Sequence, residues 1–209
     1  SAHPAAPSNV SALMSGIMIK TAVYGIIMFV FNYLHVNQIW WGIIILVLGT
    51  LSSALGILYA LMENNIKRLL AFSSIENIGI VFIGIGISFI GAANNNILLC
   101  SISLGAALFH TLNHTLFKGG LFLGAGVVQF SAHTKNIEDL GGLIKKMPVA
   151  ALIFLCFTLS ISAIVPFNGF VSEWLTFQSI FANIKAGSPG LNIVSILSAG
   201  ILALSGALA

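Results

Sequence analysis

Of 209 residues, 58% are hydrophobic and only 6% carry a charge, and the mean hydropathy is +1.05. A water-soluble domain devotes roughly a quarter of its residues to charges, so this chain cannot cover a water-facing surface and is read as solvated by lipid. The formal net charge of +3 comes from few groups, with no Lys/Arg cluster and no aromatic interleaving, which excludes a nucleic-acid surface.

Several apolar runs exceed the ~18 residues that cross a hydrocarbon core as a helix, and none alternates like an outer-membrane strand. The expected class is all-α, a polytopic transmembrane helical bundle. After a loop holding Pro4 and Pro7, the first helix covers about Asn9 to Leu34. The second covers about Gln38 to Met62, with Trp40 and Trp41 at its mouth as interfacial anchors. The third runs from about Lys67 to Ile90 and is followed by the polar patch Asn94, Asn95, Asn96. The fourth, about Ile97 to Phe130, is unusually long and is expected to tilt or kink near Gly119 and Gly120. The fifth covers about Pro148 to Val165, a short sixth Phe170 to Ile184, and a seventh begins near Leu191. The opening SAHPAAPSNV has no basic leader region and starts in a loop, while SILSAGILALSGALA stops inside an apolar run. The chain therefore reads as a piece, cut at both ends, of a longer polytopic protein.

If every element crosses once, Lys67 and Arg68, then Lys135, Lys145 and Lys146, then Lys185 all fall on one side. The loops at His35 to Asn37 and Asn94 to Asn96 hold no Lys or Arg, so the basic side is assigned to the cytoplasm. The junction SISAIVPFNGFVSEW is different. Pro166 removes a donor and Gly169 frees the backbone, so helix continuity is lost there. This is either an ordinary short loop between spans or a discontinuous helix at membrane depth, which survives only when surrounded by protein or a water-filled cavity.

Nine of the thirteen charged residues lie in loops or at span ends: Glu63, Lys67, Arg68, Lys135, Glu138, Asp139, Lys145, Lys146 and Lys185. Lys20, Glu76, Lys118 and Glu173 have apolar sequence on both sides. A charge at the bilayer centre costs at least about 2.5–3.5 kcal/mol, so such residues face the bundle interior and mark a pathway, or else form buried Lys–Glu pairs that lock helices together. In LFHTLNHTLFKGG, His110, His114 and Lys118 fall at i, i+4 and i+8, on one helical face over about 12 Å of axis. Histidine accepts and donates protons near neutral pH, and a desolvated lysine releases one more readily, so with bridging water the column can carry protons. Two other readings stay open: histidines bonding across helices to carbonyls, and a metal site lacking an evident third ligand.

Cys100 and Cys156 are isolated in apolar runs and read as small buried packing residues. Gly120 and Gly124 read as a close helix contact, as do Gly84 and Gly86. No phosphate loop, nucleophile elbow or cofactor fingerprint is present, so no catalytic centre and no cofactor are expected in this chain.

The runs AHPAAPSNVSALMSGIMIKTAVYG, NNIKRLLAFSSIENIG, FHTLNHTLFKGGLFLGAG, LGGLIKKMP and PFNGFVSEWLTFQ resemble the antiporter-like, proton-conducting membrane subunits. That family includes large membrane subunits of complex I, Mrp sodium/proton antiporters and membrane arms of energy-converting hydrogenases. IENIG, HTLNHTLFKG and FNGFVSEWLTFQ are most similar to its hydrogenase-4 and formate hydrogenlyase branch.

The resemblance implies about fourteen helices built from two inverted repeats of five, each with a discontinuous helix, in keeping with transporter architecture generally. Residues 1–209 would hold most of the second repeat, with the first repeat and its Glu–Lys pair upstream. Lys20 matches the connecting lysine of the family. His114 and Lys118 match its central-axis pair, with His110 beside them. Glu173, just past Pro166-Gly169, matches the terminal ionisable residue, where other members carry Lys. Glu76 departs from the common pattern and is expected as a partner for Lys20 or the histidines.

The implied function is a proton-translocating, non-redox subunit of a membrane-bound [NiFe] hydrogenase or formate hydrogenlyase-type complex, multi-pass in the cytoplasmic membrane. Its partners would be the other membrane and hydrophilic subunits, its cargo protons or sodium. The alternatives are an Mrp-type cation/proton antiporter subunit, a complex I membrane subunit, or a structural anchor with vestigial charges.

Overall fold

The computed structural model describes residues 2–33, 38–186 and 189–208. Chain order gives α1 (Ala2–Ala5), α2 (Ser8–Leu13), α3 (Ile19–Met28), α4 (Ile39–Leu61), α5 (Ile66–Ala93), α6 (Ile97–Ala132), α7 (Leu143–Lys146), α8 (Pro148–Ile161), α9 (Asn168–Ala186) and α10 (Pro189–Leu208). α2 and α3 belong to one continuous span, Ser8–Tyr33, in which Met14–Met18 and Phe29–Tyr33 widen to π-helical turns. The expected end of this span at Leu34, and the loop His35 to Asn37, lie outside the described residues.

Local sequence sets the helix ends. Asn65 caps α5 by accepting from the amides of Lys67 and Arg68, and Asn96 caps α6 by accepting from Leu99. α6 ends on His133 at φ 56, and α8 opens on Pro148, where no amide is needed. α8 closes with Ala163 at φ 50; Ile164 N–H reaches back to Leu159 O at 3.2 Å and Ala163 N–H to Ser160 O at 3.4 Å. The expected kink at Gly119 and Gly120 is not seen as an interruption, since α6 runs through them for 36 residues.

Lipid gives no hydrophobic drive for helices to associate, so close packing decides. Gly42, Gly49 and Gly56, seven residues apart on α4, meet Gly86, Gly79 and Glu76 on α5. A Cβ on Gly79 would lie 2.5 Å from Ser53 N, and one on Gly49 2.8 Å from Gly79 O. α5 is the centre of the bundle: 78% of its apolar window is buried, against 22% for Ser8–Tyr33. Gly84 packs on α6, where an added Cβ would lie 3.0 Å from Ala107 Cβ. Gly120 and Gly124 do not bring two backbones together; they make room for the rings of Phe157 and Phe154 of α8.

At one face of the bundle, Asn65 pairs with Asn136 in a short antiparallel bridge, and Pro7, Ser8, Lys67, His133 and Lys135 gather around one depression. At the other, Ile90, Leu99, Ile180 and Leu191 share one core cluster. α8 starts at the basic face, but its 14 residues span only about 21 Å, short of the ~30 Å core. α9 resumes in mid-bundle and continues to the opposite face, where Asn183 Nδ2 donates to Ser195 Oγ of α10 at 2.9 Å. α8 and α9 together are one interrupted crossing, which decides for a discontinuous helix at Pro166-Gly169. Lys185 accordingly lies opposite the other basic loops, not with them. Two apolar pieces, α8 and α9, read as two crossings in the sequence but make one in the fold. Lys67, Arg68, Lys135, Lys145 and Lys146 still share one face.

The cysteines are also corrected: Cys100 is half-buried with Sγ 3.3 Å from Ser88 Oγ, and Cys156 is exposed. In a lipid-solvated bundle the outer face is as apolar as the core, so apolar flanks do not reveal burial.

Candidate functional site

α6 presents His110, Asn113, His114, Phe117 and Lys118 to the interior, all at most 2% exposed. The 3.6-residue period stacks His110, His114 and Lys118 on one side, as expected, yet their hydrogen bonds run outward to different helices. His114 Nδ1 lies 2.5 Å from Lys20 Nζ of α3. Lys20 also donates to Ser15 O, a carbonyl inside the π-helical turn that precedes it. Lys20 is half-buried and borders a lateral depression with Thr21, Tyr24, Thr111 and Thr115.

Lys118 Nζ donates to Leu70 O of α5 at 3.0 Å and to Ser73 Oγ. His110 Nε2 faces Asn77 Oδ1 of α5 at 3.2 Å, and its Nδ1 faces Ser172 Oγ of α9 at 3.0 Å. Ser73 and Asn77 sit one turn apart on α5 and are linked, because Asn77 Nδ2 donates to Ser73 O at 2.9 Å. A polar stripe on α5 thus bridges Lys118 to His110. Ser74, beside it, meets Ser15 Oγ at 2.8 Å, which ties the stripe to the Lys20 side.

The interrupted crossing is fastened to the same face of α6. Asn113 Nδ2 donates to Asn168 O at 3.0 Å, and Asn168 Nδ2 returns to Asn113 Oδ1 at 2.9 Å. Ser160 Oγ of α8 donates to Asn168 Oδ1, closing the break from the other side. Gly169 is required here: a Cβ would fall 1.8 Å from Ser160 O. The backbone of the two half-helices therefore meets directly behind His110 and Asn113.

Among the described residues neither carboxylate makes a hydrogen bond to this network. Glu76 is 2% exposed, and among the described residues its Oε2 has no hydrogen-bond partner. It does not pair with Lys20 or the histidines as expected, because its α5 position faces α4 and α10 while theirs faces α3 and α6. It lines a cavity of about 390 Å³ with Ser73, Leu121, Phe154 and Leu208 that extends to Ile66, Ile137 and Leu140 at the basic face. Glu173, 7% exposed, lines a second cavity of about 420 Å³ with Ser162, Trp174, Phe177 and Gly206. Within the described residues the one salt bridge joins Arg68 to Glu63 at 2.6 Å, outside this site, so buried Lys–Glu locks are not formed. Nor do three His, Cys, Asp or Glu side chains converge as metal ligands among those residues.

His114 Nε2 also has no partner among the described residues. With Lys20 charged, Nδ1 accepts from its ammonium, and Nε2 then carries the hydrogen of the neutral ring and meets no acceptor among the described residues. Such a ring can take a proton on one nitrogen and release one from the other.

Sequence reasoning assigned no site role to Ser73, Asn77 and Ser172, which hold Lys118 and His110, or to Asn113 and Asn168, which fasten the helix break beside them. Their signal is the spacing: Ser73 and Asn77 at i, i+4, and Asn168 and Ser172 at i, i+4, on helices already carrying a buried charge. Lys67, read as a loop residue, is 2% exposed and donates to Ala6 O at 3.1 Å.

The family model described as "NADH:quinone oxidoreductase/Mrp antiporter, TM" matches residues 1–199. Hydrogenase-4 component B of Escherichia coli (strain K12) is 46% identical over 210 residues, covering 100% of this chain and 31% of that protein. Formate hydrogenlyase subunit 3 of the same organism is 42% identical over 209 residues, covering 100% of this chain and 34% of that protein. A solved structure of the Mrp complex from Dietzia sp. DQ12-45-1b superposes with a TM-score of 0.75 at 27% identity, covering 99% of this chain and 36% of that one. The chain spans about a third of the length of the curated relatives it matches.

Proposed function

The chain belongs to the NADH:quinone oxidoreductase/Mrp antiporter transmembrane family, and from that premise we propose that it carries protons along the Lys20–His114 axis as part of a hydrogenase-type complex. The observation that carries this reading is the contact of Lys20 Nζ with the fully buried His114 Nδ1 at 2.5 Å, within a membrane span, with no carboxylate in ion-pair range of Lys20 among the described residues. Holding an ammonium there costs at least about 2.5–3.5 kcal/mol, a cost that a structural role alone leaves without return.

In this reading Lys20 passes a proton to His114 Nδ1 and His114 releases one from Nε2 through bridging water. The axis then branches. Lys118 lies one turn toward the basic face, where Ser73 connects it to the cavity that holds Glu76. His110 lies one turn the other way and leads through Ser172 to Glu173 and its cavity. Charge changes near Lys20, driven by redox chemistry in partner subunits, would expel protons along this row by repulsion. The chain itself holds no redox cofactor in this scheme and sits, multi-pass, in the cytoplasmic membrane with its basic loops inside.

The identities of 46% and 42% to two E. coli subunits named for hydrogenase-4 and formate hydrogenlyase support the hydrogenase branch. The likeness to the Mrp complex at a TM-score of 0.75 supports the second reading, sodium/proton exchange. Purification of the tagged full-length protein from solubilised membranes separates them. Co-purifying [NiFe] hydrogenase and iron–sulfur subunits support the first reading. Recovery alone or with small membrane subunits, together with sodium-dependent proton exchange, refutes it in favour of the second, and quinone-oxidoreductase subunits would assign it to complex I.

A further inference from the structure

Asn77 fixes the proton count at His110. Its Nδ2 donates to Ser73 O at 2.9 Å, so the atom facing His110 Nε2 at 3.2 Å is the acceptor Oδ1. Nε2 therefore carries a hydrogen in both ring states, and Nδ1 alone changes on protonation. Nδ1 faces Ser172 Oγ at 3.0 Å. Ser172 has one hydroxyl hydrogen and competing acceptors: His110 Nδ1, Gly169 O at 2.9 Å and Asn168 O at 3.3 Å.

When His110 is neutral, Nδ1 offers a lone pair and takes the Ser172 hydrogen. When the ring gains a proton at Nδ1, that N–H donates to Ser172 Oγ, and the hydroxyl hydrogen must turn to Gly169 O. One proton is added to the ring, none leaves the serine, and no other bond is made or broken. We propose that Ser172 is a positioning residue that converts the proton state of His110 into a change in the first two turns of α9, which carry Glu173. This rests on the relay reading and assigns to one hydroxyl the coupling between its central axis and its terminal carboxyl.

The geometry makes the coupling short. Gly169 O is the carbonyl that α-helical pairing assigns to the amide of Glu173. A serine hydroxyl donating back to a carbonyl of the preceding turn loosens and bends a helix. Gly169 is also where α9 touches Ser160 O, so the turn cannot shift without moving against the end of α8. The ionisable groups on the elements packed around His110 are His114 and Lys118 on α6, Lys20 on α3, Glu76 on α5 and Glu173 on α9.

The test is hydrogen–deuterium exchange of the peptide spanning 168–176 in the full-length protein within its assembled complex, over a pH series. Protection is compared at each pH with that of His110→Gln, which cannot gain the proton. Wild type and Ser172→Thr are expected to lose about 5-fold in protection as pH falls through the His110 titration, the equivalent of one re-aimed hydrogen bond. Ser172→Ala is expected to show no such step. A step retained in Ser172→Ala, or no step in wild type, would overturn the proposal. If Ser172→Ala does not assemble, Ser172→Cys, whose thiol donates weakly, takes its place with the same two outcomes. Failure of the relay reading looks different, because proton transport would then survive in His110→Gln while the exchange step in wild type persisted.

Discussion

Substituting Gly169 by Ala tests whether the break between α8 and α9 is held as tightly as its geometry demands. The added Cβ would lie 1.8 Å from Ser160 O and 3.0 Å from Ser160 C. A carbon–oxygen approach of about 3.3 Å is the closest that costs little, so the two half-helices must part by roughly 1.5 Å. Both atoms are backbone-bound, and no rotamer relieves the clash. A shift of that size carries Asn168 beyond hydrogen-bond range of Asn113, whose two contacts measure 2.9 and 3.0 Å. Overpacking costs about 1–3 kcal/mol and the two amide contacts about 1 kcal/mol each, giving about 3–5 kcal/mol in total. Thermal unfolding of the purified full-length protein should then move down by about 2–5 °C. Proton transport should fall with it, because His110 and Ser172 meet across the same joint. A Gly169→Ala protein that unfolds within about 1 °C of wild type and transports normally would refute the reasoning, by showing that Ser160 yields freely.

Three further outcomes follow from the packing. Asn113→Leu keeps the volume but strands the half-buried Asn168 carbonyl and amide, and should cost about 1–3 kcal/mol in thermal stability. Gly79→Ala, whose Cβ would sit 2.5 Å from Ser53 N, should cut the yield of folded protein, whereas Gly105→Ala, with nothing within 4 Å, should leave yield and melting unchanged. His3, outside the membrane spans, stacks on Phe122 with ring centroids 5.0 Å apart; burial first, then the Lys118 charge, holds its pKa below the ordinary 6.5. Because its folded value is depressed, its contribution is present above pH 6.5 and is lost as pH falls below it. Limited proteolysis of the Ala2–Ala5 segment should accelerate between pH 7 and pH 5 in wild type and not in His3→Phe.

The sequence makes the spans legible because a 20-residue apolar run has few ways to exist outside a membrane. α4, α5 and α6 begin and end within a few residues of their expected positions, and the face shared by His110, His114 and Lys118 follows from periodicity alone. The pairing of those residues does not. Lys20 reaches His114 across 94 positions of sequence, a contact that only the packing of α3 on α6 creates. Glu76 illustrates the converse: one position from Asn77, it is turned by 100° of helix toward α4 and α10 and away from the histidines. Hydropathy puts Lys185 on the wrong face because it counts apolar pieces, and α8 and α9 are two pieces of one crossing. Ser73, Asn113 and Ser172 escaped notice because serine and asparagine are commonplace in helices, and only burial beside an ionisable group gives them weight.

The most direct test of the central claim is proton translocation by the assembled complex, reconstituted in liposomes, with Lys118→Ala. Lys118 is fully buried and donates to Leu70 O and Ser73 Oγ, so its removal interrupts the axis without touching the α8–α9 joint. The relay account predicts that the complex still assembles and its redox partners still turn over while translocation is lost. Translocation at the wild-type rate in that variant would contradict it.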